Sequence, residues 1–226
     1  MSVEAPHSAE RVGEVHAKLD AVRDWLQRHD LEGVVIGTQS GFAWITGGGD
    51  SHVSLGEAGG VAGVMVTGAD AVVISANIER ARLADEELRD LPFTQAEFPW
   101  HRPGSGRELV AELADPERVA ADADLWGLSP SPADMVELRY TLGPAEVARY
   151  RVLGLDAAEA AEAAIREAGP GDEELEVAAR LASECRRRGI LPLVVLVAAD
   201  HRVARYRHPI PTSNRVRGTL LVALTG

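Results

Sequence analysis

Residues 8–36 read SAERVGEVHAKLDAVRDWLQRHDLEGVVI, and the class of fold is decided here. Val12, Val15, Leu19, Val22 and Leu26 recur at spacings of three and four, which places one apolar stripe along a helix. Ser8 stands where a cap is needed, and the helix is expected to end near Asp30 because Gly33 breaks the pattern. Val34-Val35-Ile36 is a short β-branched run, the signature of a buried strand.

Downstream, strand and helix keep alternating. Gly37 to Gly41 reads as a loop, and Phe42-Ala43-Trp44-Ile45 as a brief apolar element stopped by Gly47-Gly48-Gly49. Val61–Thr67 and Ala71–Ser75 are strand-like, and Gly68-Ala69-Asp70 between them signals a hairpin. Asn77 is expected to cap a helix reaching Leu88. The segment from Pro92 to Gly106, with three prolines and two glycines, is expected to be loop. A helix over Arg107–Leu113, a strand over Val119–Ala123 and a short helix over Ser131–Leu138 complete an α/β first half.

The character changes near Leu142-Gly143-Pro144. Pro144 suits the first turn of a helix, and Ala145–Glu167 reads as one long helix ended by Gly169-Pro170-Gly171. Asp172 is expected to cap a second helix over Glu173–Arg188, with acids first, arginines last and Gly189 as its stop. Strands over Leu191–Ala199 and Thr219–Leu224 follow. The boundary is expected near 130–143, giving domains of 1–135 and 144–226.

Composition narrows the function classes. Of 226 residues 46% are apolar and 26% charged, ordinary for a globular chain. A net charge of −12 disfavours nucleic acid as a partner. The single cysteine, Cys185, cannot form an internal disulfide or a cysteine-based zinc site, which implies a reducing, cytoplasmic setting. Its step with Leu181 reads as a small buried hydrophobe. Met1–Glu10 lacks the basic-then-apolar order of a signal peptide. The apolar run Ile190–Ala199 contains Pro192 and falls short of the roughly 20 residues of a membrane helix, so no membrane partner is expected.

Three pieces of the chain, in order, resemble the creatinase/aminopeptidase P/prolidase family. Leu31-Glu32-Gly33-Val34-Val35-Ile36 with Trp44-Ile45-Thr46-Gly47 is similar to the strand and turn that open that family's N-terminal domain. Pro170-Gly171-Asp172-Glu173-Glu174 is similar to its Pro-Gly-x-x-Glu joint between two helices. His208 followed by Gly218-Thr219-Leu220-Leu221-Val222-Ala223-Leu224-Thr225-Gly226 resembles a histidine and then a Gly-Asp-Leu-Val-Leu-Ile-Asp-x-Gly strand. The resemblance implies an α/β (α+β) fold: a creatinase-type N-terminal domain with a mixed sheet flanked by helices, then the first half of a pita-bread domain.

It also implies where the chemistry would be. Family enzymes hold two divalent metals with two Asp, one His and two Glu. The first Asp lies six residues after the glycine of the last motif, which from Gly218 is Leu224. Leucine offers no lone pair to a hard cation. The remaining ligands belong to later segments, so no metal or other cofactor is expected in this chain. The expected function is that of an aminopeptidase P/Xaa-Pro dipeptidase-like protein, truncated or degenerate at the metal site and inactive as it stands. A fragment of an active Xaa-Pro metallopeptidase and a dimerisation or assembly module remain as alternatives.

His208 falls where the family has a histidine near the substrate carbonyl, a candidate donor to developing charge. It could equally be an exposed histidine before the turn Pro209-Ile210-Pro211. Arg202, Arg205, Arg207, Arg215 and Arg217, with Tyr206, form a basic cluster that could hold a peptide carboxylate or another small anion, or could be a solvated strand face. His201 and His208, seven apart, would lie on opposite faces of a strand and make no metal pair. His7, His16, His29, His52 and His101 read as surface residues. Gly47-Gly48-Gly49-Asp50-Ser51-His52 lacks the Lys-Ser/Thr of a P-loop, and the family resemblance would make it a loop reaching a partner subunit's active site. Trp100 reads either as an exposed linker aromatic at an interface or as a Trp tucked over its own domain. Leu220–Leu224 is a core-like strand with nothing after it to cover it, so a homo-oligomer is expected.

Overall fold

The structure, a computed structural model, describes residues 8–226, and of Ser8 it describes the backbone alone. The expected Ser8 cap and His7 therefore lie outside the described residues. The chain divides into two compact units, one ending at Ala145 and one from Glu146 to Gly226.

The first unit opens with α1 (Ser8–Arg28). Of its stripe Val15, Leu19, Val22 and Leu26 are buried, Val12 is only half-buried, and Trp25 joins the buried set. Then come β1 (Gly33–Thr38), α2 (Gln39–Ile45), β2 (Gly59–Thr67) and β3 (Ala71–Ala76). A short helix α3 (Arg80–Arg82) runs on as a π-helical turn, Leu83–Glu87. β4 (Thr94–Phe98), α4 (Ser105–Leu113), β5 (Val119–Ala121), β6 (Ser129–Pro130) and a 3₁₀ segment, Ala133–Arg139, complete the unit. The strands form one mixed sheet in the order β4-β3-β2-β1-β5-β6. β2 is antiparallel to both β1 and β3, whereas β1, β5 and β6 run parallel, as do β3 and β4.

The pleat sorts the core into two faces. Val34, Ile36, Val64, Val66 and Val73 meet the α1 stripe together with Phe42 and Ile45 of α2. Val35, Met65, Val72 and Ile74 meet Phe98 and Val110 on the other side. Register decides this, since a one-residue slip would turn each set to the wrong face. The alternation of strand and helix led us to expect α/β, and the mixed sheet between helices is the architecture the family resemblance implied.

Three local expectations in the first unit are corrected. Prolines 92 and 99 flank β4 rather than marking loop throughout, and Val72–Ala76 pairs with Thr94–Phe98 between them. Asn77 caps no helix; its Oδ1 accepts the Trp100 N–H at 3.0 Å. Gln39–Ile45 is helical because Thr38 Oγ1 accepts the Gly41 N–H, so the expected loop at 37–41 is a strand end and a helix start.

The second unit contains α5 (Pro144–Glu167), α6 (Glu174–Arg187), β7 (Val194–Ala199), a short α7 (His201–Arg205) and β8 (Leu220–Thr225). The cap of α6 is Glu173, not Asp172: Glu173 and Glu176 form a reciprocal capping box. Asp172 instead accepts from the Gly169 N–H at 3.1 Å and from Arg180 at 2.6 Å. Gly189, at φ 75°, supplies the left-handed residue that ends the helix. β7 and β8 pair antiparallel, Val195 opposite Leu224 and Val197 opposite Val222. Ala160 and Ala164 of α5, Leu181 and Cys185 of α6, and Val195, Val222 and Leu224 of the strands pack as one cluster. Cys185 is the buried hydrophobe its spacing suggested, and desolvation raises its thiol pKa.

Candidate ligand-binding site

The sequence candidates meet at the end of β7. After Ala199 the backbone turns sharply at Asp200, whose φ of 53° is unusual for a residue with a side chain. The carboxylate of Asp200 justifies the turn by accepting the backbone N–H groups of Arg217, Gly218 and Thr219 at 2.9–3.0 Å. The Thr219 N–H foremost, then those of Gly218 and Arg217, hold this acid below the ordinary carboxylate range. α7 follows, so His201 sits on a helix rather than on the expected strand.

The next residues are fixed by Glu174 at the start of α6, whose side chain is fully buried. Its carboxylate accepts from the Ala199 N–H at 2.8 Å, from the Thr212 N–H and hydroxyl at 2.9 and 2.8 Å, and from Asn214 Nδ2 at 3.3 Å. Arg202 Nη1 donates to it as well, while Nη2 donates to the Ile210 carbonyl at 3.0 Å. Burial alone would raise the Glu174 pKa; the Arg202 and Thr212 bonds outweigh it and bring it down to about 2. The group is an anion saturated by donors and has no lone pair to offer a ligand. It clamps the 206–219 segment to α6.

On that clamped segment the candidates separate. Arg202 is consumed by Glu174, and Arg215 by the Gly171 carbonyl and Glu173, both at 2.6 Å. Arg205, Tyr206, Arg207 and His208 are all exposed. The guanidinium carbons of Arg202 and Arg205 each lie 5.5 Å from the Tyr206 ring centroid, within cation–π range. Among the described residues, the side chains of Arg205, Arg207 and His208 have no hydrogen-bond or ion-pair partner. The result is a short exposed basic segment on a rigid base, able to meet a carboxylate or other small anion.

Leu224 belongs to the strand paired with β7. It lies in β8 against Val195 and packs into the α5–α6 cluster. Among the described residues no group of three or more His, Cys, Asp or Glu side chains could hold a metal ion. No helix among them is long and apolar enough to cross a membrane.

Two histidines read as surface residues are partnered. His29 Nε2 lies 2.9 Å from Asp134, which also accepts from Trp25 Nε1 at 3.2 Å. His52 Nδ1 lies 2.5 Å from the Asp50 carboxylate. The Gly47–His52 loop is docked: the Asp50 N–H donates to Glu87 at 2.7 Å, and Arg82 to the Asp50 carbonyl at 3.1 Å. Trp100 is exposed. Sequence reasoning missed Glu174 and Asp200 as organisers. Glu174 lay inside the Pro-Gly-x-x-Glu joint, but nothing in one sequence separates it from its acidic neighbours.

The fold is that of the prolidases and Xaa-Pro dipeptidases. A dipeptidase PepE from Mycobacterium ulcerans superposes with a TM-score of 0.68 at 17% identity, over 94% of this chain and 60% of that one. An Xaa-Pro dipeptidase from Bacillus anthracis gives 0.66 at 15% identity, over 93% and 60%. A prolidase from Pyrococcus furiosus gives 0.65 at 20% identity, over 89% and 59%. The chain therefore spans about 60% of the length of these structures. The fold resemblance carried by the three motifs is found across nearly the whole chain. No family model matches the sequence, and no curated protein matches it by sequence.

Proposed function

We propose that this chain is part of an aminopeptidase P/Xaa-Pro dipeptidase-like protein that is catalytically inactive, with the exposed segment Arg205–His208 as a surviving site for a peptide carboxylate or small anion. Leu224 carries the reading. It takes the strand position of the first metal-ligating Asp implied by the resemblance, and its half-buried side chain packs against an apolar cluster. A two-metal centre would supply a bound hydroxide and polarise the scissile carbonyl. The Leu224 side chain has no lone pair to offer a metal ion. What this chain's own residues supply is charge: the guanidinium groups of Arg205 and Arg207 to hold a carboxylate, and His208 to donate a hydrogen bond beside them.

The test is elemental analysis after dialysis against Mn, Co and Zn, together with hydrolysis of an Xaa-Pro dipeptide. The expected result is no stoichiometric metal and no cleavage. About two metals per chain with turnover would overturn the reading.

A further inference from the structure

The first unit contains a cleft that the peptidase-like reading does not use. It lies at the carboxyl ends of the parallel strands β1, β5 and β6. Thr38 ends β1, Asp122 directly follows β5, and Ser131 directly follows β6. The chain leaves β1 through α2 towards β2 on one side, while β5 lies on the other. Crevices at the carboxyl ends of parallel strands, where connections part to opposite sides, are where α/β sheets bind small molecules.

The cleft is about 180 Å³, below the ~300–1,000 Å³ of sites for drug-sized ligands. Its apolar wall includes Trp44, Met135 and Val136. Its charged groups are Asp122 and Arg139, opposite in sign, and they form no ion pair with each other although they line the same space. Asp122 is held by the end of β1: Oδ1 accepts the Gly37 and Thr38 N–H groups at 2.6 and 3.0 Å, and Oδ2 accepts the Thr38 hydroxyl at 2.7 Å. That leaves one of about four carboxylate lone-pair sites for a further donor. Arg139 spends Nη1 on the Ser40 hydroxyl at 3.0 Å and has no acidic partner among the described residues. Gly41 keeps the floor open, since a Cβ there would sit 2.5 Å from Asp122 Oδ2.

A fixed anion and a fixed cation, held apart beside an apolar wall in a small space, match a small zwitterion. We propose that this cleft binds a free α-amino acid with an apolar side chain. Its ammonium meets Asp122, its carboxylate meets the open edge of the Arg139 guanidinium, and its side chain lies against Trp44, Met135 and Val136. The site stands on this unit alone and is independent of the metal question.

Calorimetric titration of the whole chain with L-leucine, N-acetyl-L-leucine and L-leucinamide tests it. Leucine is expected to bind, and each capped derivative, having lost one charge, to bind about 10-fold more weakly or worse. Arg139→Gln should weaken leucine by a similar factor with an unchanged circular dichroism spectrum. Should Arg139→Gln fail to fold, Val136→Glu at the rim, which sets an acid beside the ligand carboxylate, should weaken leucine in the same way. No heat with leucine up to about 10 mM, capped derivatives binding as well as leucine, or full affinity in a folded Arg139→Gln would each overturn the proposal.

Discussion

Glu174 shows how one residue sets the geometry of a whole loop. It is a buried anion, costly alone and tolerable because five donors surround it. A folded pKa of about 2 against an ordinary 4.5 means that ionised Glu174 stabilises the fold above the ordinary value, by ~3 kcal/mol at neutral pH. Glu174→Gln keeps the shape but leaves Arg202 buried beside a neutral group. The expected loss is about 3 kcal/mol, in the range for removing one partner of a buried pair. Urea unfolding followed by far-UV circular dichroism measures it. A loss below about 0.5 kcal/mol would show that the network is solvated and the 206–219 segment only loosely held.

At the scale of elements, α1 is the clearest case of pattern becoming structure. Leu19 is 2% exposed and meets the sheet face formed by Val34, Ile36 and Val64. Leu19→Ala should cost roughly 2–5 kcal/mol, the range for deleting a buried leucine side chain. Tryptophan fluorescence during urea unfolding reads this out, with buried Trp25 on the same helix; a change under about 0.5 kcal/mol would place the stripe in solvent. Elements with a long periodic signal, namely α1, α5, α6 and the β2–β3 hairpin, could be read from the chain. β4 could not. Thr94-Gln95-Ala96-Glu97-Phe98 is mixed in polarity, and as an edge strand it is defined by its pairing with β3 rather than by burial. α7 escaped for a related reason: five residues hold too little periodicity, and the turn at Asp200 that starts it depends on hydrogen bonds from residues 17 to 19 positions later. The candidate site was legible as a list, since Arg205 to His208 stand together in sequence. Which arginines are free and which are spent was not, because Glu173 and Glu174, which consume Arg215 and Arg202, are some 30–40 positions away.

On the scale of the whole molecule, acid is expected to act unevenly on the two units. Asp172, Glu174, Glu184 and Asp200 all have lowered pKa values and all lie in the second unit. Their main causes differ: the Arg180 bond for Asp172, the Arg188 bond for Glu184, the Thr219 N–H for Asp200, and for Glu174 a burial cost outweighed by Arg202 and Thr212. Among the described residues of the first unit only Asp134 is lowered; its burial opposes the shift, and the Trp25 and His29 bonds outweigh it. A depressed folded pKa means that the unfolded chain binds protons first. The stability from each such group is complete above the ordinary carboxylate pKa and is lost as pH falls through the folded value. The second unit should therefore lose stability faster than the first between about pH 5 and pH 2. The four tryptophans, Trp25, Trp44, Trp100 and Trp126, all lie in the first unit, so their fluorescence reports on that unit alone. Ellipticity at 222 nm reports chiefly on helix, including α5 and α6 of the second unit. On acid titration ellipticity should fall at a higher pH than the tryptophan signal shifts, with Glu174→Gln narrowing the gap by removing the largest contributor. Coincident transitions in the unmodified chain would mean either that the two units unfold as one or that the clamp at Glu174 does not carry the acid sensitivity.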